Sequence, residues 1–433
     1  MNTADDPRVK PPCRQSDALA VLKRLRESGH LAYFAGGSVR DTLLGLAPKD
    51  WDIATDAPPT RVRELFPETQ AVGAAFGVIL VREGPSVVEV ATFRRDGPYQ
   101  DGRRPASVRF ASAEEDAQRR DFTINGLFFD PLENKMIDYV GGQADLQARR
   151  LRAIGEPGKR FDEDHLRLLR AVRFAARFSL ETEPETARAI RDAAPQLKGI
   201  SPERVGDELR LMLSPATRQV AWRLLWELGL GEIVFRFLPT VPETIDMNRS
   251  VFMKLLPGEP VAFSLAVAAA VLCARIQAEK KEATSLLSRQ SVSQSIRAMR
   301  QALRLSNAES DDAAEILENL SPLLGEPPPT LAVKKRFLAR KTSAMSRALM
   351  DALATIGEST ERIESLKKDW RTLETEDNAP VPLVSGDDLT SAGYQPGPAF
   401  KRILDALYDA QLEGRIKDKE QAMKMAREMG FSS

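Results

Sequence analysis

A chain of 433 residues exceeds the usual size of one hydrophobic core, so about two to four domains or subdomains are expected. With 42% hydrophobic and 29% charged residues, the composition is that of a soluble globular protein and excludes an intrinsically disordered one. Basic and acidic residues number 62 each, so a nucleic-acid partner would have to meet local basic patches rather than a basic protein.

Met1 to Pro12 is polar and lacks the apolar core of a signal peptide. The next residues read as a helical lead-in to about residue 30. From there to about residue 150 short β-type runs alternate with helical pieces. Leu31–Ala35, Val78–Val81, Val87–Phe93 and Leu127–Phe129 are rich in Val, Ile and Phe, whereas Val39–Leu44 and Pro59–Leu65 read as helices. Gly141-Gly142 closes this α/β module with a turn.

Beyond residue 160 the pattern is helical almost to the end. Leu166, Leu169, Val172 and Ala176 recur at helical spacing with arginines between them. Ser201-Pro202-Glu203 offers an N-cap followed by proline at the first helical position. Val261–Cys273 is the most apolar stretch, too short to span a bilayer, and reads as a buried helix. Prolines at 239–242, 257–260 and 327–329 break the helices, and Asn378–Pro382 reads as a linker to a small helical unit from Ser385 to Met429. Cys13 and Cys273 suit reduced thiols, and a cytoplasmic protein without a membrane segment is expected.

The strongest chemical signal is Asp50-Trp51-Asp52, shortly after Gly36-Gly37-Ser38-Val39-Arg40-Asp41. On extended backbone, residues i and i+2 project together, and two adjacent carboxylates repel unless a cation lies between them. Magnesium suits such oxygen ligands and leaves positions for substrate phosphates. Glu89, inside a strand-like run, offers a third carboxylate. An Asp-x-Asp pair alone is common on solvated loops; the preceding strand, Gly-Gly and helix start give it weight, because glycine lets backbone approach phosphate and a helix N-terminus favours an anion. Arg40 is open to two readings, phosphate ligand or structural partner of Asp41.

These strings together resemble the class II CCA-adding enzymes and bacterial poly(A) polymerases, of the polymerase β-like nucleotidyltransferase superfamily. Gly36–Asp41 with Asp50-Trp51-Asp52 is similar to the family's motif A, and Glu89–Arg94 to the strand bearing its third carboxylate. Asp96-Gly97-Pro98-Tyr99 with Asp101, Arg103 and Pro105 resembles its flexible loop. Arg119-Arg120-Asp121-Phe122-Thr123-Ile124-Asn125 resembles motif B, associated with ribose and phosphate, and Asp138–Gly142 with Asp145 resembles the motif C hinge. Glu163-Asp164-His165-Leu166-Arg167 resembles motif D, the amino-acid template that selects the incoming base. On a continuous helix Asp164 and Arg167 would share one face, with Arg170 and Arg173 continuing it towards the triphosphate. Ser201–Arg204 with Glu208 resembles motif E and reads as structural.

The resemblance implies an α+β protein: a polymerase β-like head with a mixed five-stranded sheet at 31–150, then a helical neck (151–215), RNA-binding body (216–380) and tail (381–433). It implies Asp50, Asp52 and Glu89 as catalytic, with Asp50 and Asp52 holding Mg2+. Gly37, Arg40, Arg120, Asp121, Asn125, Asp164, Arg167, Arg170 and Arg173 would bind nucleotide. The expected reaction adds CCA to tRNA from CTP and ATP by a two-metal route. Poly(A) or A-only addition is the alternative within the family, and a non-catalytic RNA-binding protein the alternative from another class. Two basic stripes are candidates for RNA phosphates: Lys334-Lys335-Arg336 with Arg340, Lys341 and Arg347, and Arg289 with Arg297, Arg300 and Arg304. Two histidines are too few for the His-Asp phosphohydrolase domain of some relatives. The oligomeric state is not set by the sequence.

Overall fold

The computed structural model describes residues 13–73, 76–97, 107–236, 258–279 and 289–430. It divides into two units, Met1–Glu208 with Leu224–Val234, and Leu209–Arg223 with Phe235–Ser433.

The first unit is built on a sheet. In chain order it contains α1 (Gln15–Glu27), β1 (Ala32–Ala35), α2 (Gly37–Leu43), β2 (Ile53–Thr55), α3 (Pro59–Leu65), β3 (Thr69–Gly73), β4 (Val78–Glu83) and β5 (Ser86–Thr92). There follow β6 (Arg94–Asp96), β7 (Val108–Phe110), α4 (Ala113–Gln118), β8 (Leu127–Asp130), β9 (Lys135–Asp138), α5 (Gly142–Gln147) and β10 (Arg150–Leu151). The sheet has seven strands in the order β3-β4-β5-β2-β1-β8-β9, not the five expected. The three strands that no β-type run marked are short or polar (Ile-Ala-Thr, Thr-Gln-Ala-Val-Gly and Lys-Met-Ile-Asp), so they carry little of the apolar alternation that betrays a strand. Only β2 and β5 run parallel within it, and their register pairs Ile53 with Val90. Under the sheet, Phe93 and Phe128 pack edge to face at 5.9 Å with Tyr33 against both.

Two local devices lock the turns around this sheet. Ser112 and Glu115 form a capping box that starts α4, each side chain accepting from the other's backbone N–H. At the other, Gly142 has no room for a side chain, since a Cβ there would lie 2.2 Å from the carbonyl oxygen of Thr123. The Asp138 carboxylate accepts from the N–H groups of Val140, Gly141, Gly142 and Gln143 at the start of α5. Burial would raise the Asp138 carboxyl, but those four bonds outweigh it and hold it below the usual carboxylate range.

The helices of this unit continue as α6 (Pro157–Glu163) and α7 (Arg167–Phe178), then β11 (Glu181–Thr182), α8 (Pro184–Ala193) and α9 (Pro202–Leu213), which begins at the expected proline. Nine of the twelve α7 residues are buried, including Leu168, Leu169, Val172 and Ala176. The helix does not run through motif D, however. Asp164 is extended (φ −149°, ψ 103°) and ends α6, while α7 starts only at Arg167. The expected shared helix face of Asp164 and Arg167 is therefore replaced by a two-helix corner, closed when the Asp164 carboxylate accepts from the N–H of Leu166 at 3.1 Å. An aspartate competes for backbone donors in this way, which makes it a helix breaker as readily as a helix-face residue.

After α10 (Arg218–Glu227) and α11 (Gly231–Val234), the second unit is helical: α12 (Phe263–Glu279), α13 (Arg289–Leu303), α14 (Asn307–Glu318), α15 (Leu320–Leu324), α16 (Leu331–Leu338), α17 (Ser343–Thr355) and α18 (Thr360–Leu373), then α19 (Gly386–Ser391), α20 (Pro398–Leu412) and α21 (Lys419–Gly430). The expected buried helix is α12, inaccessible from Phe263 to Cys273. The C-terminal helices share a small core of their own that includes Val384, Leu389, Ile403, Leu407 and Ala426. Among the described residues no helix is long and apolar enough to cross a membrane. Cys13 and Cys273 are buried free thiols, and the proline-rich stretch 239–242 lies outside the described residues.

Candidate active site

Trp51 explains how the acidic pair is presented. Its ring is buried against Phe34 (centroids 4.8 Å apart), so the flanking Asp50 and Asp52 turn away from the core. The pair sits just before β2, on extended chain; the Ala35 N–H donates to the Asp52 carbonyl at 3.0 Å, prolonging the ladder to that point. The parallel β2–β5 register then sets Glu89 beside Asp52, one position before the Ile53–Val90 pair. Val88 and Val90 are buried, so Glu89 occupies the opposite face of β5.

Asp52 and Glu89 line a cavity of about 570 Å³. Its wall also holds Gly36, Gly37, Arg40, Arg120, Asp121, Asn125, Asp164, Arg167, Arg170 and Arg173. All the expected site residues thus meet there except Asp50, which is exposed and stands outside the lining. Four arginines that sequence reasoning did not assign to the site line it too: Arg94, Arg119, Arg177 and Arg204. The 170–173–177 spacing on α7 was a signal that Arg177 belongs with its neighbours, whereas nothing local marks Arg94 or Arg204.

Gly36 has φ +64°, and a Cβ there would meet the Arg120 guanidinium at 2.8 Å. Only glycine satisfies both the backbone angle and that approach. Arg120 is held by Asp116 at 2.9 Å and donates to the Asn125 carbonyl at 3.1 Å. Arg40 pairs with Asp41 while also lining the cavity: Asp41 Oδ1 accepts from its Nε and Nη2 at 2.9 and 2.6 Å, its Nη1 donates to Asn125 Oδ1, and its guanidinium lies 4.3 Å from the Phe178 ring centroid.

A buried ionic chain continues from there. Asn125 Nδ2 donates to Asp121 at 2.9 Å, Arg170 pairs with Asp121 at 2.7 Å, and Arg173 lies 2.9 Å from Glu208. Burial would raise the Asp121 carboxyl, but the Arg170 charge and the bonds from Asn125, Arg170 and the Phe122 N–H outweigh it and hold it at about 2. For Glu208 burial wins over Arg173 and Arg170, and its carboxyl is raised. Glu208 of motif E thus pairs with Arg173 of α7. At the base-reading end Asp164 pairs with Arg204 at 2.7 Å, while Arg167 pairs with Glu163 and donates to the Arg160 carbonyl at 2.7 Å. Of the flexible-loop string, Asp96 pairs with Arg94 at 3.1 Å; residues 98–105 lie outside the described residues.

Among the described residues no group of three or more His, Cys, Asp or Glu side chains is arranged to hold a metal ion alone. Asp52 and Glu89, side by side across β2 and β5, offer hard oxygen donors, which suit a cation completed by substrate phosphates rather than a closed protein cage.

A mixed sheet carrying an acidic pair at a strand start, Gly-Gly at a helix start, and an arginine-lined cavity define a nucleotidyltransferase. Residues 32–152 match the poly A polymerase head domain, 179–241 the probable RNA- and SrmB-binding site of polymerase A, and 274–426 the putative tRNA nucleotidyltransferase domain 2. The chain is 33% identical over 414 residues to the CCA-adding enzyme of Geobacillus kaustophilus, covering 95% of this chain and 96% of the relative. It is 42% identical to poly(A) polymerase I of Salmonella typhi, but over 243 residues, 54% of this chain and 52% of the relative. The crystal structure of the Bacillus stearothermophilus CCA-adding enzyme in complex with CTP superposes with a TM-score of 0.75 at 29% identity, over 98% of this chain and all of that one. A Thermotoga maritima CCA-adding enzyme complexed with tRNA shares the fold, with a TM-score of 0.65 at 20% identity over 96% of this chain and 94% of that one. The chain belongs to the family of CCA-adding enzymes and bacterial poly(A) polymerases.

Proposed function

We propose that this nucleotidyltransferase adds CCA to tRNA 3′ ends from CTP and ATP. The observation that carries the reading is a single cavity in which the Asp52–Glu89 face, the Gly36-Gly37 helix start and the Asp164–Arg167 corner meet. The full-length match to CCA-adding enzymes supports it over poly(A) addition, for which the match covers only about half the chain. In functional terms residues 31–150 are the catalytic head, 151–215 the base-reading neck, 216–380 the RNA-binding body and 381–433 the tail, with 1–30 as lead-in.

Asp50 and Asp52 would hold Mg2+, with Glu89 beside them. Such ions, when bound, lower the charge barrier between the attacking 3′-hydroxyl, the α-phosphate and the leaving pyrophosphate. The chain's own part is placement. Asp164 accepts from an exocyclic amine of the base, and Arg167 donates to ring nitrogen or carbonyl. Gly37 lets the α2 start approach phosphate, and Arg120, Arg170 and Arg173 supply positive charge. Asp121 and Asn125 keep Arg170 and Arg40 in place. Preorganised charges of this kind cost no reorganisation when the phosphate is transferred.

The test is incorporation with Mg2+ on tRNA lacking CCA, tRNA ending in CC, and an unrelated oligoribonucleotide. C, C and A added in order to tRNA, then arrest, is the expected result. Long A tails on the oligomer would instead make the enzyme a poly(A) polymerase, and no incorporation anywhere would leave a binding protein.

The two basic stripes separate clearly. Lys334 pairs with Asp369, Lys335 with Glu376, Arg336 with Asp409, Arg340 with Glu315, Lys341 with Asp312 and Arg347 with Glu374. That run ties helices together and presents no free basic track. Of the second stripe, the Arg289 side chain lies outside the described residues; Arg297, Arg300 and Arg304 are exposed, and no acid among the described residues pairs with them. RNA phosphates are therefore assigned to this second stripe. Replacing all three by alanine is expected to raise KM for tRNA about tenfold at moderate salt and to flatten its salt dependence. Steady-state kinetics at several salt concentrations checks this, and an unchanged salt slope would remove the stripe from the RNA site.

A further inference from the structure

Arg177 is the cation of α7 that the reading above leaves without a task. It shares the catalytic cavity with Arg167, Arg170 and Arg173 and extends their series one turn further. Its neighbours are committed to acids of their own: Arg167 to Glu163, Arg170 to Asp121 and Arg173 to Glu208. Arg177 differs. Its one ion pair among the described residues is with Asp41, at 3.4 Å, and that carboxylate already takes two closer bonds from Arg40; otherwise its guanidinium lies 4.9 Å from the Phe178 ring centroid. Its side chain is 43% exposed, against 10, 33 and 13% for the other three. A guanidinium has five N–H donors in a planar fork, so most of this one's capacity faces the cavity unspent.

Position along the helix says what those donors meet. Arg177 lies ten residues, about 15 Å of helix, from the base-reading Arg167. Its partner Asp41 belongs to α2, whose start at Gly36-Gly37 is where phosphate approaches. From Asp164 and Arg167 at one end to Arg177 at the other, the cavity wall runs in the direction base, then phosphates. We infer that Arg177 binds the terminal (γ) phosphate of the incoming nucleoside triphosphate, so that the site distinguishes triphosphate from diphosphate. Releasing Asp41 costs little, because Arg40 continues to neutralise it through two closer bonds. The inference rests on the proposed reading that a nucleoside triphosphate occupies this cavity.

The experiment is calorimetric titration of the full-length protein with Mg·CTP and Mg·CDP. The unmodified protein is expected to prefer CTP, and Arg177→Ala to lose about ten- to a hundredfold of CTP affinity with little change for CDP. Arg177→Lys, which keeps the charge but not the fork, should fall between. A merely structural arginine would weaken both nucleotides together, so equal losses, or an unchanged preference, would overturn the assignment. Failure of the unmodified protein to bind CTP at all would instead overturn the reading of the cavity, and the inference with it.

Discussion

Asp52→Ala is expected to reduce nucleotide incorporation by a thousandfold or more while leaving the melting temperature nearly unchanged. The carboxylate lines the cavity beside Glu89, on extended chain whose core anchor is Trp51 rather than the aspartate itself. Removing it withdraws the charge that would hold a cation against the reacting phosphates, and losing one preorganised electrostatic group at a reaction centre typically costs on the order of a hundred- to a thousandfold, more where an ion leaves with it. Asp50→Ala should follow the same course, although Asp50 is more exposed and stands outside the cavity lining. Asn at either position keeps the shape and loses the charge, which separates electrostatics from packing. The check is single-turnover incorporation over a range of Mg2+ concentrations, with thermal unfolding in parallel. Activity retained in Asp52→Ala would remove the acidic pair from the reaction.

Asp121→Ala should behave differently, lowering stability and activity together. This carboxylate is buried at the junction of Arg170, Asn125 and the Phe122 N–H, and Asn125 passes the constraint on to Arg40. Its loss leaves Glu208, 3.9 Å away, as the acid partner of Arg170 among the described residues. Breaking a fully buried pair from one side costs about 3–5 kcal/mol, and with the Arg170 side chain 33% exposed about 2–3 kcal/mol is expected. The pH dependence follows from the same contacts. With its folded pKa depressed to about 2, Asp121 contributes stability that is complete above the unfolded value near 4 and lost as pH falls towards 2. The drop of nearly two pKa units corresponds to about 2 kcal/mol. Chemical denaturation at pH 7 and at pH 3 tests both points: the gap between the two proteins should narrow in acid. A gap of constant size would show that the Asp121 charge is not what stabilises the fold.

The strings that carry the family resemblance could be read without any fold. Asp50-Trp51-Asp52, Gly36-Gly37, motif B and motif D lie in contiguous strings, and each string carries its own local reason: alternation on extended chain, a left-handed glycine, a helix start. The long helices α7 and α12 were legible for the same cause, since many apolar residues at one period add to a signal that short-range reading can register. Strands of three to five residues at a sheet edge, or buried in its centre, give no such sum, and three of the seven escaped notice. The break between Asp164 and Arg167 was also hidden, because two residues three apart in the chain carry the same local pattern whether a helix runs through them or ends between them. Which charge meets which, by contrast, is settled by the fold. The basic run at 334–347 and the stripe at 297–304 look alike in sequence, yet acids from α14, α18 and α20 and from Glu374 and Glu376 beyond α18 neutralise the first, while the second stays exposed. Arg173 and Arg177 likewise differ only through Glu208 and Asp41. Pairing between charges distant in the chain depends on geometry in three dimensions, and no local pattern of residues encodes it.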